Sequence, residues 1–201
     1  MTRYLSTVFL VLLMASPVAA SDEWRSDPTA FINHFAQVGI TEILEADISI
    51  DEKTERFRTL FNDGFDIPSV ARFVLARTWR LADDGEKDEF VDLFEDVIVY
   101  TWSRRFSEYE GQTIEVRGTT PDGDTGVIVD SAIVDGSGQP IAVQWRLRHR
   151  DEGLKIVDVV VEGVSMAITY RQDYASVIRQ GGGMAGLLAE LRKQVDASKP
   201  A

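Results

Sequence analysis

Residues 154–181 read LKIVDVVVEGVSMAITYRQDYASVIRQG. Leu154 to Val161 is apolar and β-branched, with Asp158 as its one acid. Such a run predicts a strand buried on both faces. Gly163 breaks it. From Val164 on, apolar residues recur at helical spacing until Gly181, a C-cap residue. A strand therefore feeds almost directly into a helix, with Ser165 placed to cap it. Strict alternation puts Val157, Val159 and Val161 on one face of that strand and Ile156, Asp158 and Val160 on the other.

Upstream, three more strands are predicted over residues 112–118, 125–134 and 141–150. They are joined by Pro121-Asp122-Gly123-Asp124, Asp135-Gly136-Ser137-Gly138 and Asp151-Glu152-Gly153. Turns this short imply an antiparallel meander. The third strand alternates cleanly. Ile141, Val143, Trp145 and Leu147 face one way, and Gln144, Arg146, Arg148 and Arg150 face the other, which is expected to be wet or ion-paired.

Helical spacing fills residues 27–109. Asp27 and Pro28 suit an N-cap and first turn. A second helix opens near Asp51 and stops at Gly64, and Asp66-Ile67-Pro68 starts a third. The longest, from about Gly85 to Tyr109, carries Phe90, Leu93, Phe94, Val97, Ile98, Thr101, Trp102 and Phe106 on one broad stripe. Acids open it and Arg104 and Arg105 close it, as the helix dipole favours. The expectation is one α+β domain over residues 21–201: helical over 27–109, sheet over 112–161, helical again over 163–195. An antiparallel twisted sheet of four strands or more carries helices on one face. Such a sheet can enclose an apolar cavity, as NTF2-like and steroid isomerase-like folds do.

The first twenty residues read as a signal peptide, with Arg3, an apolar run over 5–15, and cleavage after Ala20. The run is too short for a retained span. There is no cysteine, so the exported protein is held by its core alone, without a disulfide or an N-terminal lipid anchor. The formal charge is −12, and loss of Arg3 with the signal makes it −13. That surface is a poor match for nucleic acid or anionic lipid headgroups.

Catalytic patterns are weak. Gly163-Val164-Ser165-Met166-Ala167 has the context of a nucleophile elbow, but the only histidines, His34 and His149, precede the serine. Asp158 and Glu162 could form a carboxylate pair, although Arg146, Arg148 and Arg171 are available as counter-ions. Asp122-Gly123-Asp124 is too short for a calcium loop. Gly181-Gly182-Gly183 follows a helix and lacks the lysine of a phosphate loop. No cofactor and no metal is expected. Arg72, Arg77 and Arg80, and Arg146, Arg148, His149 and Arg150, form basic clusters suited to local pairs or to a phosphate.

Three segments resemble the MlaC family, also described as toluene-tolerance auxiliary components. They are Phe65-Asp66-Ile67-Pro68-Ser69-Val70-Ala71-Arg72-Phe73-Val74-Leu75 with Trp79, then Phe90-Val91-Asp92-Leu93-Phe94 through Trp102 to Tyr109-Glu110-Gly111-Gln112-Thr113, and Asp158 to Gly181. Ala76 stands where the family usually has Gly, and Trp102 where it usually has Tyr. The resemblance implies a periplasmic carrier, not an enzyme. Such a carrier is a monomer and holds glycerophospholipid acyl chains between sheet and helices. It would exchange lipid with an inner-membrane ABC transporter complex bearing an MCE-domain subunit and with an outer-membrane lipoprotein complex, maintaining outer-membrane lipid asymmetry. The lining residues expected on this basis are Phe73, Leu75, Trp79, Phe94, Ile98, Trp102, Trp145, Leu147, Val164 and Ile168, with Val164 foremost. At about 0.8 kcal/mol per methylene, two acyl chains of roughly thirty methylenes cost on the order of 20 kcal/mol to expose to water. Two alternatives stay open: an enzyme on an NTF2-like sheet with Asp158 as base, and a binding module with a filled core.

Overall fold

The computed structural model describes residues 22–135 and 138–199. The signal segment and its cleavage site lie outside the described residues. Helix α1 (Pro28–Val38) is capped by Asp27, whose carboxylate accepts the Ala30 amide, and has Pro28 in its first turn. It does not stop at Gly39. The chain widens into a π-helical turn over Gly39–Leu44, where the Glu45 amide reaches the Ile40 carbonyl. Helix α2 (Ile50–Gly64) starts behind Ser49, and α3 (Ile67–Leu75) behind Asp66. At Gly64 the ring of Phe35 occupies the space a Cβ would need. Helix α4 (Asp84–Ser103) opens with a reciprocal Asp83–Glu86 capping box and ends sooner than the apolar stripe suggests, with a short 3-10 turn over Phe106–Glu108. Helices α5 (Met166–Gln180) and α6 (Gly183–Ser198) close the chain, and Gly181 caps α5 as expected.

Strands β1 (Thr113–Pro121), β2 (Gly126–Val134), β3 (Ile141–Arg150), β4 (Gly153–Val161) and β5 (Val164–Ser165) form one antiparallel sheet in sequence order. The fold is α+β, as the sequence predicts. The strand not foreseen is β5. It pairs with Val160 and Val161 across a two-residue turn at Glu162 (φ 49°) and Gly163 (φ 81°). Two successive positive φ values are what a type I′ hairpin turn demands.

The facing of β4 also differs from strict alternation. Arg146 pairs with Asp158 but Leu147 pairs with Ile156, so Val157 is an extra residue on β4. This β-bulge turns the strand by one residue. Ile156 therefore joins Val159 and Val161 on the face of Trp145 and Leu147, while Asp158 and Val160 face with Arg146 and Gln144.

Two apolar clusters result. The first lies between the sheet and α1, where Phe31 and Ile32 pack on Val129, Val143, Trp145, Leu147, Leu154 and Ile156. The indole Nε1 of Trp145 donates to Ser131 Oγ (2.9 Å), whose hydroxyl donates to the Val143 carbonyl (3.0 Å). The second cluster is helical. It joins Ala71, Val74 and Leu75 of α3, Phe90, Phe94 and Ile98 of α4, Tyr174 of α5, and Leu187, Leu188 and Leu191 of α6. Phe65 packs against both, and the amide of Asp66 donates to the Ile156 carbonyl. Phe31, Ile32 and Phe35 of α1 cover the face of the sheet that carries Trp145 and Leu147. Among the described residues no helix is long and apolar enough to cross a membrane.

Candidate functional site

The start of α5 is built by hydrogen bonds that the strand-to-helix junction sets up. Ser165 Oγ accepts the Ile168 amide (3.1 Å) and donates to Asp158 Oδ2 (2.6 Å), while Asp158 Oδ1 accepts the Ala167 amide (3.0 Å). Asp158 is 8% exposed. Its charge is offset by these donors and by the positive end of α5. Glu162 reaches the other way, its carboxylate accepting the Ala142 amide. The two acids thus form no pair. The arginines expected as their counter-ions go elsewhere. Arg146 and Arg148 both bind Asp122, and the guanidinium of Arg171 lies 5.0 Å from the Phe73 ring centroid. The Asp122 carboxyl is held below the usual carboxylate range, chiefly by its hydrogen bond from Arg148.

That last contact marks a cleft. Phe73 of α3 faces Ile168, Arg171, Gln172, Ala175 and Arg179 of α5 across an open volume of about 400 Å³. The size falls within the range of small-molecule sites, roughly 300–1,000 Å³. Phe73 is 43% exposed and Ile168 44%, a high value for large apolar side chains on opposing helices. Arg171 and Arg179 flank the opening two turns apart on α5. Neither is ion-paired with a carboxylate among the described residues. The arrangement offers hydrocarbon contact within and guanidinium donors at the rim, a combination that suits an amphiphile with an acidic head.

A second opening of about 290 Å³, between α1, the π-helical turn and α2, is lined by His34, Glu42, Arg56, Asp63 and apolar neighbours. Two of its charges are engaged, Arg56 with Glu52 and the Glu42 backbone carbonyl, and Asp63 with Arg25. Among the described residues no group of three potential metal ligands converges.

The ten residues expected to line one space are divided among the cleft, the two apolar clusters and the surface. Phe73 and Ile168 form the cleft. Leu75, Phe94 and Ile98 are buried behind it in the helical cluster, with Trp79 packed on its border. Trp145 and Leu147 sit in the sheet cluster under α1. Trp102 is exposed in the last turn of α4, with Arg105 over its ring, and Val164 is 54% exposed on β5, one turn ahead of Ile168. Periodicity identifies apolar faces but not which faces meet, and the two clusters divide the set. Gln172, Ala175 and Arg179 line the cleft and are not among the ten residues expected from the sequence. The available signal was the series Ile168, Arg171, Gln172, Ala175 and Arg179, a helical stripe passing from apolar to basic.

These features define a class: an antiparallel sheet and a helical layer, with an apolar cleft between two helices and arginines at its rim. The family model described as MlaC protein matches residues 39–193, and the chain belongs to the MlaC family. The fold is similar to a solved structure described as the phospholipid-binding protein from Ralstonia solanacearum in complex with a phospholipid. The TM-score is 0.72 and the identity 21%, over 84% of this chain and 94% of that one.

Proposed function

We propose that this protein is a soluble periplasmic carrier that binds the acyl chains of glycerophospholipid and moves lipid between an inner-membrane ABC transporter complex with an MCE-domain subunit and an outer-membrane lipoprotein complex. On this reading residues 1–20 are a cleaved signal and the carrier acts as a monomer without cofactor. The observation that carries it is the α3–α5 cleft, with Phe73 and Ile168 exposed inside and Arg171 and Arg179 at its rim, in a chain of the MlaC family. The relative of known structure described with a bound phospholipid supports the choice of cargo. Hydrocarbon tails would complete the apolar contacts that Phe73 and Ile168 lack, and the guanidinium groups would meet the phosphate.

A small-molecule enzyme of the steroid isomerase type using Asp158 as base is the weaker reading. Both carboxylate oxygens already accept hydrogen bonds at the head of α5, which is a capping geometry.

The test is organic extraction of protein purified without detergent, followed by mass spectrometry. Stoichiometric phospholipid is expected, and repeated recovery of lipid-free protein that takes none from vesicles would end the proposal. Val164→Glu is expected to leave the fold intact, because Val164 is largely exposed, and to abolish lipid loading. An unchanged lipid content in that variant would show that the binding surface does not extend from Ile168 in the cleft to β5.

A further inference from the structure

The helical cluster contains one polar group out of keeping with its surroundings. Tyr174 is 5% exposed, and its hydroxyl has no hydrogen-bond partner among the described residues. Its ring meets Phe90 edge-on at 5.9 Å, Phe94 at 6.1 Å and Tyr170 at 5.8 Å. The indole of the sheet cluster, by contrast, is satisfied within the fold. A buried hydroxyl without an acceptor destabilises the state that holds it, and a phenylalanine ring there would avoid that cost. Burial raises the phenol's pKa, so the group stays protonated and offers a donor.

Its position relates it to the cleft. Tyr174 follows Arg171 by three residues, and side chains at that spacing are neighbours on a helix surface, less than one turn of roughly 5.4 Å apart. Arg171 lies at the cleft opening, over Phe73. Tyr174 lies on the inner side of the same helix, packed among α3, α4 and α6 residues. Helix α4 packs chiefly on α6, and α5 on α3 and α6. What joins α4 to α5 is a layer of rings, Phe90, Phe94, Tyr170 and Tyr174. Side-chain rotation can open such a layer without breaking backbone hydrogen bonds.

We propose that Tyr174 is a ligand-binding residue whose hydroxyl donates to an ester carbonyl of a diacyl lipid that has its phosphate at Arg171 and its tails running from the cleft past Phe73 into the helical cluster. The inference rests on the carrier reading and names the chemical group that reading leaves open. In a glycerophospholipid the ester carbonyls stand between phosphate and tails, in the order in which Arg171, Tyr174 and the phenylalanines run inward. Lipids that carry ether linkages have no such acceptor.

The experiment loads delipidated full-length mature protein from vesicles of phosphatidylcholine in two forms, diester and diether, with matched chains. The lipid taken up by wild type and Tyr174→Phe is measured, together with the unfolding midpoint of the lipid-free proteins. Wild type is expected to prefer the diester by roughly three- to tenfold, the worth of one neutral hydrogen bond. Tyr174→Phe is expected to take both forms equally, with an unfolding midpoint equal to wild type or higher. Equal uptake of both lipids by wild type, a preference retained by Tyr174→Phe, or a lowered midpoint in the variant would overturn the assignment. Wild type that loads with neither lipid would instead overturn the carrier reading itself.

Discussion

The sheet cluster and the helical cluster are both apolar, yet they are finished to different degrees. Under α1 the side chains interlock, and the one buried indole reaches Ser131, whose hydroxyl in turn reaches a backbone carbonyl. In the helical layer, Tyr174 keeps an unpaired hydroxyl, Phe73 and Ile168 stand half-exposed across a cleft, and Ala76, just after α3, has φ 51° and ψ −113°. That backbone region is one that glycine occupies and other residues reach only under strain. Features of this kind gather where a protein gives up stability for function. The sheet cluster is internally satisfied, and the helical layer holds the cleft, the unpaired hydroxyl and the strained backbone.

Breaking the sheet cluster has the largest effect. Trp145→Ala removes a buried indole from the centre of the sheet cluster and is expected to cost about 3–5 kcal/mol in urea unfolding. Breaking the cleft separates binding from folding. Phe73→Glu puts a charge where hydrocarbon is expected, and lipid loading from vesicles is expected to fall roughly tenfold or more, the equivalent of about 1.4 kcal/mol. Its unfolding free energy should stay within about 1 kcal/mol of wild type, because the ring is already half exposed. A loss of loading that merely tracked instability would erase the distinction between the two regions.

Ala76→Gly sharpens the comparison from the other side. Relief of about 1–3 kcal/mol of backbone strain outweighs the roughly 0.5–1 kcal/mol entropic cost of glycine. A net gain of about 1 kcal/mol in unfolding free energy is expected. No gain would show that the turn after α3 carries no strain.

The smallest effect concerns the tie between the regions. Asp66 caps α3 through the Ser69 amide and binds Arg150 of β3 at 2.6 Å. Burial pushes the Asp66 carboxyl up, but the Ser69 and Arg150 hydrogen bonds outweigh it, so its pKa lies below the ordinary value. A carboxyl depressed on folding contributes stability above its unfolded pKa of about 3.9, and loses that contribution as pH falls through the lower folded value. Asp66→Asn is expected to lower stability near pH 7 by about 0.5–1 kcal/mol and to flatten the decline below about pH 4. An acid limb unchanged in the variant would show that Asp66 does not couple sheet to helices.

Much of this was legible before any tertiary contact was known, because it is local. Asp27, Asp66 and Ser165 cap the helices their positions imply, and the short turns dictate an antiparallel meander. The wet face of β3 is ion-paired as its alternation suggests, although its partners are Asp122 and Asp66 and not Asp158. The site was less legible. Val157 gives no sign in the sequence that it is a bulge, so the facing of β4 read one residue out of step on one side of it. Trp145 and Phe94 look equally suited to a lining, but one lies under α1 and the other between α4 and α5.

Sequence alone determined the class of fold, the placement of helix starts and strand turns, and the likeness to MlaC, since each rests on residue types at short spacing. Tertiary structure decided that α1 fills the sheet face, that Phe73 and Ile168 converge, and that the hydroxyl of Tyr174 is buried without a partner. The reason is physical. Local backbone preferences act within a few residues, whereas the meeting of apolar faces depends on helix packing across the whole chain, and the hydrophobic effect that drives it does not distinguish one greasy stripe from another.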